Sequence, residues 1–498
     1  MNGSRNSVNQ IAIAPKFLIL PLLLLCLPSR AAAQSEADWS RTAKALTGSV
    51  FANSSTDNLR ELCDQVGPRV TGTEAYEKAS HWALERFRAL GIKDVHLESF
   101  SIPNGWARGW AQSQVYSPIQ RRLHMESVSW APSTPRGGVT GEIIVVDDLS
   151  PKELRAKAEQ IKDRVVLLDT EHAFAEGFNK TYPLLNASYG LLKNLGARGL
   201  VLNDTVPNQV PGDWLDVDNG KAEIQRLPIA EIGMEDYKLL RRLREQGPVT
   251  IGFEYQNQIS GPTQVSNVVA QIQGKANPEE WIVIGGHLDS WDLATGCQDN
   301  GTGASMVLEA AKAIAALPFA PRRSLRFVLW TGEEPGLLGS KAYIKQHAQE
   351  LSKCVAVLNS DNGAGHPKGW KVEGRKDLKQ ALVPIASHYL KDLSADGISM
   401  EVTFDSDHGP FLLHGIPALD LWVDDEEYEK VHHKPSDTFD KVDPIFFKTD
   451  TTILTVTAYL LAEMPQPIAP HLNHAAVGEI LRKSELEQYL IAHGDWTP

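Results

Sequence analysis

At 498 residues the chain exceeds one ordinary domain and has room for two or three. Its 42% hydrophobic and 22% charged residues exclude both a disordered chain and a membrane bundle. A formal net charge of -13 opposes nonspecific binding to nucleic acid and leaves small or peptidic partners.

Arg5 and Lys16 precede an apolar run at 17–27, and Ala31-Ala32-Ala33 before Gln34 offers a small-residue cleavage site. Residues 1–33 therefore read as a signal peptide, and the mature protein as secreted, extracellular or periplasmic. The run is too short to span a bilayer and Pro21 interrupts it, so no stable membrane insertion is expected. Loss of the leader removes Cys26 and leaves Cys63, Cys297 and Cys354, an odd set that cannot pair completely. No Cys-x-x-Cys spacing supports a thiolate zinc site.

Thr71-Gly72-Thr73 introduces a helix in which Ala79, Ala83, Phe87 and Leu90 recur at helical spacing, with Gly91 as its stop. A strand candidate at 95–100 follows, so 34–112 opens an α/β domain. Between 113 and 262 the character changes: strand candidates at 142–146, 165–168 and 199–202 alternate with turns and two helices, which predicts a separate inserted domain. From Val265 to about 465 the α/β pattern resumes, with apolar runs at 281–285, 325–330, 355–358 and 418–422 and helices at 304–316 and 380–390. Buried runs alternating with helices predict an α/β fold with a mixed, largely parallel sheet covered on both faces. Residues 466–498 read as a C-terminal tail with one helix at 475–492.

In such sheets, polar residues just past the carboxyl ends of strands converge on one crevice. The run at 281–286 leads into His287-Leu288-Asp289, that at 325–331 into Gly332-Glu333-Glu334, and that at 355–360 into Asp361. Asp299 sits in Gln298-Asp299-Asn300-Gly301-Thr302-Gly303, whose glycines would let a loop bend tightly before a helix. His432-His433 precedes Lys434-Pro435-Ser436-Asp437-Thr438. Imidazole and carboxylate suit zinc, and a carboxylate can bridge two cations where an imidazole cannot, which makes Asp299 the natural bridge.

These motifs, together with Ser290-Trp291-Asp292 and Leu329-Trp330-Thr331, resemble the co-catalytic zinc exopeptidases, the family of bacterial leucyl aminopeptidases, glutamate carboxypeptidase and carboxypeptidase Q. The likeness is strongest to the last branch and spans about 58–464. It implies two zinc ions per chain, one held by His287 and Asp361, the other by Glu334 and His433, with Asp299 bridging. It puts Glu333 at the position of the general base. Asp289 would accept a hydrogen bond from the far nitrogen of His287, and His432 would donate one to the tetrahedral intermediate. The resemblance further implies that the insert is a β-rich protease-associated domain over the crevice and that the protein is a homodimer. Asp405-Ser406-Asp407-His408-Gly409-Pro410-Phe411 looks more like the bacterial aminopeptidase branch, with His408 a satisfied loop histidine.

The expected activity is hydrolysis of dipeptides or short peptides by a metallopeptidase. Two rivals share the scaffold: a glutaminyl cyclase-like acyltransferase with one zinc, and a metal-free binding protein. The presence of every ligand position and of the base stands against both. A free amino terminus is the expected handle, because Arg375, in what reads as an exposed turn, is the one arginine between Arg326 and His433. By contrast Asp405, Asp407, Asp424, Asp425, Glu426 and Glu427 would attract an ammonium group.

Overall fold

The computed structural model describes residues 30–53, 56–175, 177–204 and 227–498. The apolar run 17–27 and Cys26 lie outside them, and Ala31, Ala32 and Ala33 fall in the first turns of the helix Arg30–Asn53. Eight strands form the main sheet, in the order Asp94–Ile102, Thr263–Ile272, Arg323–Trp330, Asn277–His287, Cys354–Asn359, Ala418–Val423, Pro367–Lys371 and Gly397–Ser399. The central four run parallel, whereas antiparallel pairings flank them on both sides.

Strand alternation sorts the central apolar runs onto two covered faces. Ile282, Ile284, Phe327 and Leu358 share a core with Glu74–Ala89, Thr302–Ala315 and Pro444–Glu463. Trp281, Val283, Val328 and Val357 pack instead with Tyr343 of Leu338–Gln346 and Phe411 of His408–Leu413. Pro444–Glu463 is long and apolar enough to cross a bilayer by length and composition, yet 83% of its apolar window is buried inside the protein. Its threonines enter that interior because Thr451, Thr452 and Thr455 each return their hydroxyl to the carbonyl four residues earlier.

A second eight-stranded sheet occupies 111–255 and has a separate core, including Ile143, Val166, Leu200 and Ile251. It is less purely β than expected. Val139–Val146, Val165–Leu168, Gly199–Asn203 and Ile229–Ile232 pair in parallel, and Phe178–Asn194 and Met234–Gln246 are helices of 17 and 13 residues.

The helix expected at 380–390 starts earlier, as Lys376–Ile385, and widens into a π-turn at Ala386–Leu390. The C-terminal segment also differs from the expected one-helix tail. It folds into two helices, His474–Lys483 and Glu487–His493, broken at Glu485, whose φ is 62°. Val477, Leu481, Leu486, Leu490 and Trp496 form a buried cluster there that packs against Val402, Phe404 and Leu413, so hydrophobic contact fixes the segment to the body. Cys63 and Cys297 form a disulfide across 234 positions, and Cys354 is free and buried.

Candidate metal centre

Because Asn277–His287, Arg323–Trp330 and Cys354–Asn359 run parallel, His287, the Glu333-Glu334 pair and Asp361 emerge at the same sheet edge. Asp299 arrives from the turn Cys297–Gly301, and His433 from the segment after Glu426–Glu429. His287 Nε2 lies 3.1 Å from Asp299 Oδ1, 3.0 Å from Asp361 Oδ1 and 3.9 Å from Glu333 Oε2. On the other side, His433 Nε2 lies 3.0 Å from Asp299 Oδ2 and 3.1 Å from Glu334 Oε2. All five expected ligand positions therefore meet around Asp299, with Glu333 beside them.

Two sets of donor atoms have metal-binding compactness: His287, Asp299 and Asp361, and Asp299, His432 and His433, each within 4.8 Å. Asp299 belongs to both. Glu334 reaches the second group through His433, and its Oε1 is buried without a hydrogen-bond partner. Burial, with the nearby charges of Asp361 and Glu334, holds the Glu333 carboxyl well above the usual carboxylate range. Burial and the charge of Asp299 push Glu334 up to about 8, and burial raises Asp361 to about 6. Burial also opposes ionisation of Asp299, but hydrogen bonds with His287 and His433 outweigh it and hold that carboxyl well below its usual range. Four carboxyl groups packed this closely away from water call for compensating positive charge, and their donor set with two imidazoles fits zinc.

The surroundings explain the loop motifs. The Asp437 carboxylate accepts the main-chain N–H of Gln298 at 2.7 Å and of Asp299 at 3.0 Å, so it grips the turn that presents the shared acid. Arg69 is fully buried and donates to the carbonyls of Gly67, Leu288, Thr295 and Gly296, tying the His287 and Asp299 loops together. The Cys63–Cys297 disulfide anchors the same turn two positions before Asp299. Bending occurs at Gly296, with φ 59°, whereas Gly301 has helical angles. Gly303 is required by space, since a Cβ there would lie 2.2 Å from the Ser360 carbonyl oxygen.

The expected Asp289 contact is altered. His287 Nδ1 lies 3.0 Å from the Asp289 main-chain oxygen and 3.5 Å from its carboxylate. That carboxylate accepts instead from Thr71 Oγ1 at 2.7 Å and from the Glu333 N–H at 3.2 Å, which fixes the backbone of the glutamate. His432 stacks on Tyr428 at 4.9 Å and its Nε2 is 3.6 Å from Asp299 Oδ2. His408 is buried against Thr403, 3.1 Å away, and does not line the crevice.

A cavity of about 300 Å³ opens on Asp299, Glu333, Glu334, Asp361, His432 and His433. Of the acids expected to attract an ammonium group, Asp405 lines it, Asp407 is buried outside it, Asp424 is half-buried away from it and paired with Lys368 at 3.1 Å, and Asp425, Glu426 and Glu427 are exposed elsewhere. Glu429 lines it and carried no motif. Arg375 is buried rather than in an exposed turn, and bonds Asp377 and the carbonyls of Gly415 and Pro470. The C-terminal segment supplies Tyr489, His493 and Asp495, which no sequence pattern marked.

No described residue of 111–204 or 227–255 lines this cavity, but this region contacts segments that adjoin it. Lys434, next to His433, makes a buried ion pair with Asp204 at 2.6 Å, and Arg108, just before this region, pairs with Asp292 at 3.0 Å and donates to Ser127 Oγ at 3.1 Å. Trp291 bridges the two regions, meeting Trp130 on one side and the edge of His433 at 6.0 Å on the other.

Residues 267–456 match the model of peptidase family M28. Carboxypeptidase Q of Mus musculus is 28% identical over 422 residues, covering 84% of this chain and 87% of that protein. A probable leucine aminopeptidase 2 of Aspergillus oryzae is 26% identical over 369 residues, covering 71% and 68%. Among solved structures, a peptidase M28 precursor from Shewanella amazonensis matches with a TM-score of 0.79 at 27% identity, over 88% of this chain and 100% of that one. A zinc aminopeptidase from Bacillus subtilis shares the fold, with a TM-score of 0.63 at 20% identity over 86% and 98%.

Proposed function

We propose that this metallopeptidase, whose fold is that of a solved M28 peptidase precursor, is an exported exopeptidase that cleaves dipeptides or short peptides with a free amino terminus. The carrying observation is that Asp299 stands in both donor groups, between His287 and Asp361 on one side and His433 and Glu334 on the other. In this reading His287 and Asp361 hold one zinc ion, Glu334 and His433 the second, and Asp299 both. Glu334 is preferred over His432 as ligand because its Oε2 lies 3.1 Å from His433 Nε2 and its Oε1 is buried without a hydrogen-bond partner, while His432 is stacked on Tyr428. Bound there, the two ions would acidify a shared water and polarise the scissile carbonyl.

Glu333 then takes the water's proton and passes it to the leaving amine. Its place beside His287, 3.9 Å from Nε2, supports that role, as does the Asp289 bond to its main chain. His432, a third exposed on its side chain, donates to the oxyanion of the tetrahedral intermediate. The substrate's ammonium group faces Asp405 and Glu429 on the cavity wall. The 111–255 region acts as a protease-associated domain that shapes access to the crevice without supplying a ligand, and the protein works as a homodimer. Export through a cleaved leader is supported by the Cys63–Cys297 disulfide, which belongs to an oxidising compartment.

The test is metal analysis of the purified protein together with hydrolysis of unblocked dipeptides before and after chelation. Two zinc equivalents, with activity lost on chelation and restored by zinc, support the reading. A metal-free protein without activity would favour the binding-protein rival, and a single zinc with cyclisation of an N-terminal glutamine would favour the acyltransferase.

A further inference from the structure

The crevice has a second pole that the proposed chemistry does not use. After Glu334 the chain turns through Gly336 and Leu337 into the helix Leu338–Gln346. Gly339 seats this helix against the strand end, since a Cβ there would lie 2.3 Å from the Thr331 carbonyl oxygen. Its first turn therefore projects from a rigid base into the cavity that the proposed metal-binding acids line, and it carries Lys341.

Lys341 is the one lysine or arginine among the described residues lining the cavity, whose other charged walls include Asp299, Glu333, Glu334, Asp361, Asp405, Glu429 and Asp495. Its Nζ lies 2.7 Å from Asp495 Oδ1, with the two side chains 33% and 18% exposed. Asp495 is itself held in place: its N–H bonds the Leu490 carbonyl at 2.9 Å, and the adjacent Trp496 is buried and stacked on His474 at 4.0 Å. A partly exposed ion pair adds little to stability, so folding gives no strong reason for a lone cation at this wall. An ammonium group has three donors, and Asp495 engages one, which leaves two for an incoming anion.

We propose that Lys341, steadied by Asp495, anchors the free C-terminal carboxylate of the substrate. This rests on the exopeptidase reading above and narrows it to peptides short enough to reach from the metal centre to Lys341 with both ends unblocked. The cavity of about 300 Å³ is at the small end for ligand sites, and the C-terminal helix Glu487–His493, through Tyr489 and His493, forms part of its wall. Longer chains meet that wall, and a carboxylate placed beside it meets the cation that offsets the surrounding acids.

The experiment compares a neutral dipeptide with its C-terminal amide, both with free amino groups, on the zinc-loaded full chain. Wild-type enzyme is expected to favour the free acid by about tenfold or more in kcat/KM, chiefly through KM. Lys341→Met should bring the ratio toward one, and Lys341→Arg should restore most of it. Calorimetric titration of the two dipeptides into Glu333→Gln protein should show the same preference as binding, independent of turnover. Should Lys341→Met fail to fold, Asp495→Asn provides the second test: the amide oxygen keeps an acceptor that steadies the Lys341 ammonium but removes the carboxylate charge that competes with the substrate, so the preference for the acid should strengthen, and a weaker preference would count against the assignment. A wild-type ratio near one, or a ratio that Lys341→Met leaves unaltered, overturns the anchor while cleavage of both dipeptides preserves the exopeptidase reading. Cleavage of neither dipeptide by the wild-type enzyme overturns both.

Discussion

Asp437→Asn isolates how the centre is held from how the protein folds. In the native turn one carboxylate accepts two main-chain N–H groups, those of Gln298 and Asp299. Asparagine keeps the shape but has a single acceptor oxygen, so one N–H is left buried and unpaired at a cost of about 1–3 kcal/mol. Folding stability should register less than that full amount. Burial pushes the Asp437 carboxyl up to about 7, so the native charge is itself unfavourable there, and the neutral amide removes that penalty. The turn bearing Asp299 has no such relief. If the cost falls on Asp299 geometry, zinc affinity should drop by about 10–100-fold, the range for residues that orient metal ligands. Competition with a chromophoric chelator measures zinc affinity, and urea denaturation of the metal-free protein measures folding. An unchanged zinc affinity alongside a clear loss of metal-free stability would refute the positioning role and make Asp437 a structural residue.

Three further outcomes are expected. Glu333→Gln should retain both zinc ions and lose turnover by about 10²–10⁴-fold, whereas Glu334→Gln should lose one zinc equivalent; equal metal loss in both would show that the division of roles is wrong. Replacing Cys63 and Cys297 by alanine should lower the unfolding free energy by about 5 kcal/mol, the chain-entropy value for a loop closed across 234 positions, as read from urea curves of matched metal-free samples; identical curves would mean that the bridge constrains nothing. N-acetylation of a neutral dipeptide should abolish cleavage, because it removes the positive charge that Asp405 and Glu429 would meet, and efficient cleavage of the acetylated form would rule out amino-terminal recognition.

Much of the catalytic architecture is legible in local patterns. The runs at 165–168, 325–330 and 418–422 coincide closely with strands because a strand covered on both faces must be apolar throughout, and such a run is visible without any tertiary information. The helix expected from Ala79, Ala83 and Phe87 forms at Glu74–Ala89 for the same kind of reason, capped by Thr73 and stopped near Gly91, whose φ is 79°. His287, Glu333, Glu334 and Asp361 stand out because each follows such a run directly, and parallel pairing sends the ends of neighbouring strands to one edge.

Tertiary structure alone decided what lies opposite those acids and what holds them. Arg69 and Asp437 act through main-chain atoms, and main-chain partners leave no trace in side-chain patterns. Arg375 lies beside Gly374 in a stretch that reads as exposed, yet carbonyls from Gly415 and Pro470, distant in sequence, enclose it. The C-terminal residues read as a tail because their apolar positions are few and broken by Glu485, and Tyr489, His493 and Asp495 reach the crevice only through the fold of the whole domain. The sequence by itself therefore determined the strands, their helices and the ligand-type residues at the strand ends, since burial and periodicity are local properties. The fold decided the partners of Lys341, Arg69 and Asp299, because each depends on segments brought together from across the chain.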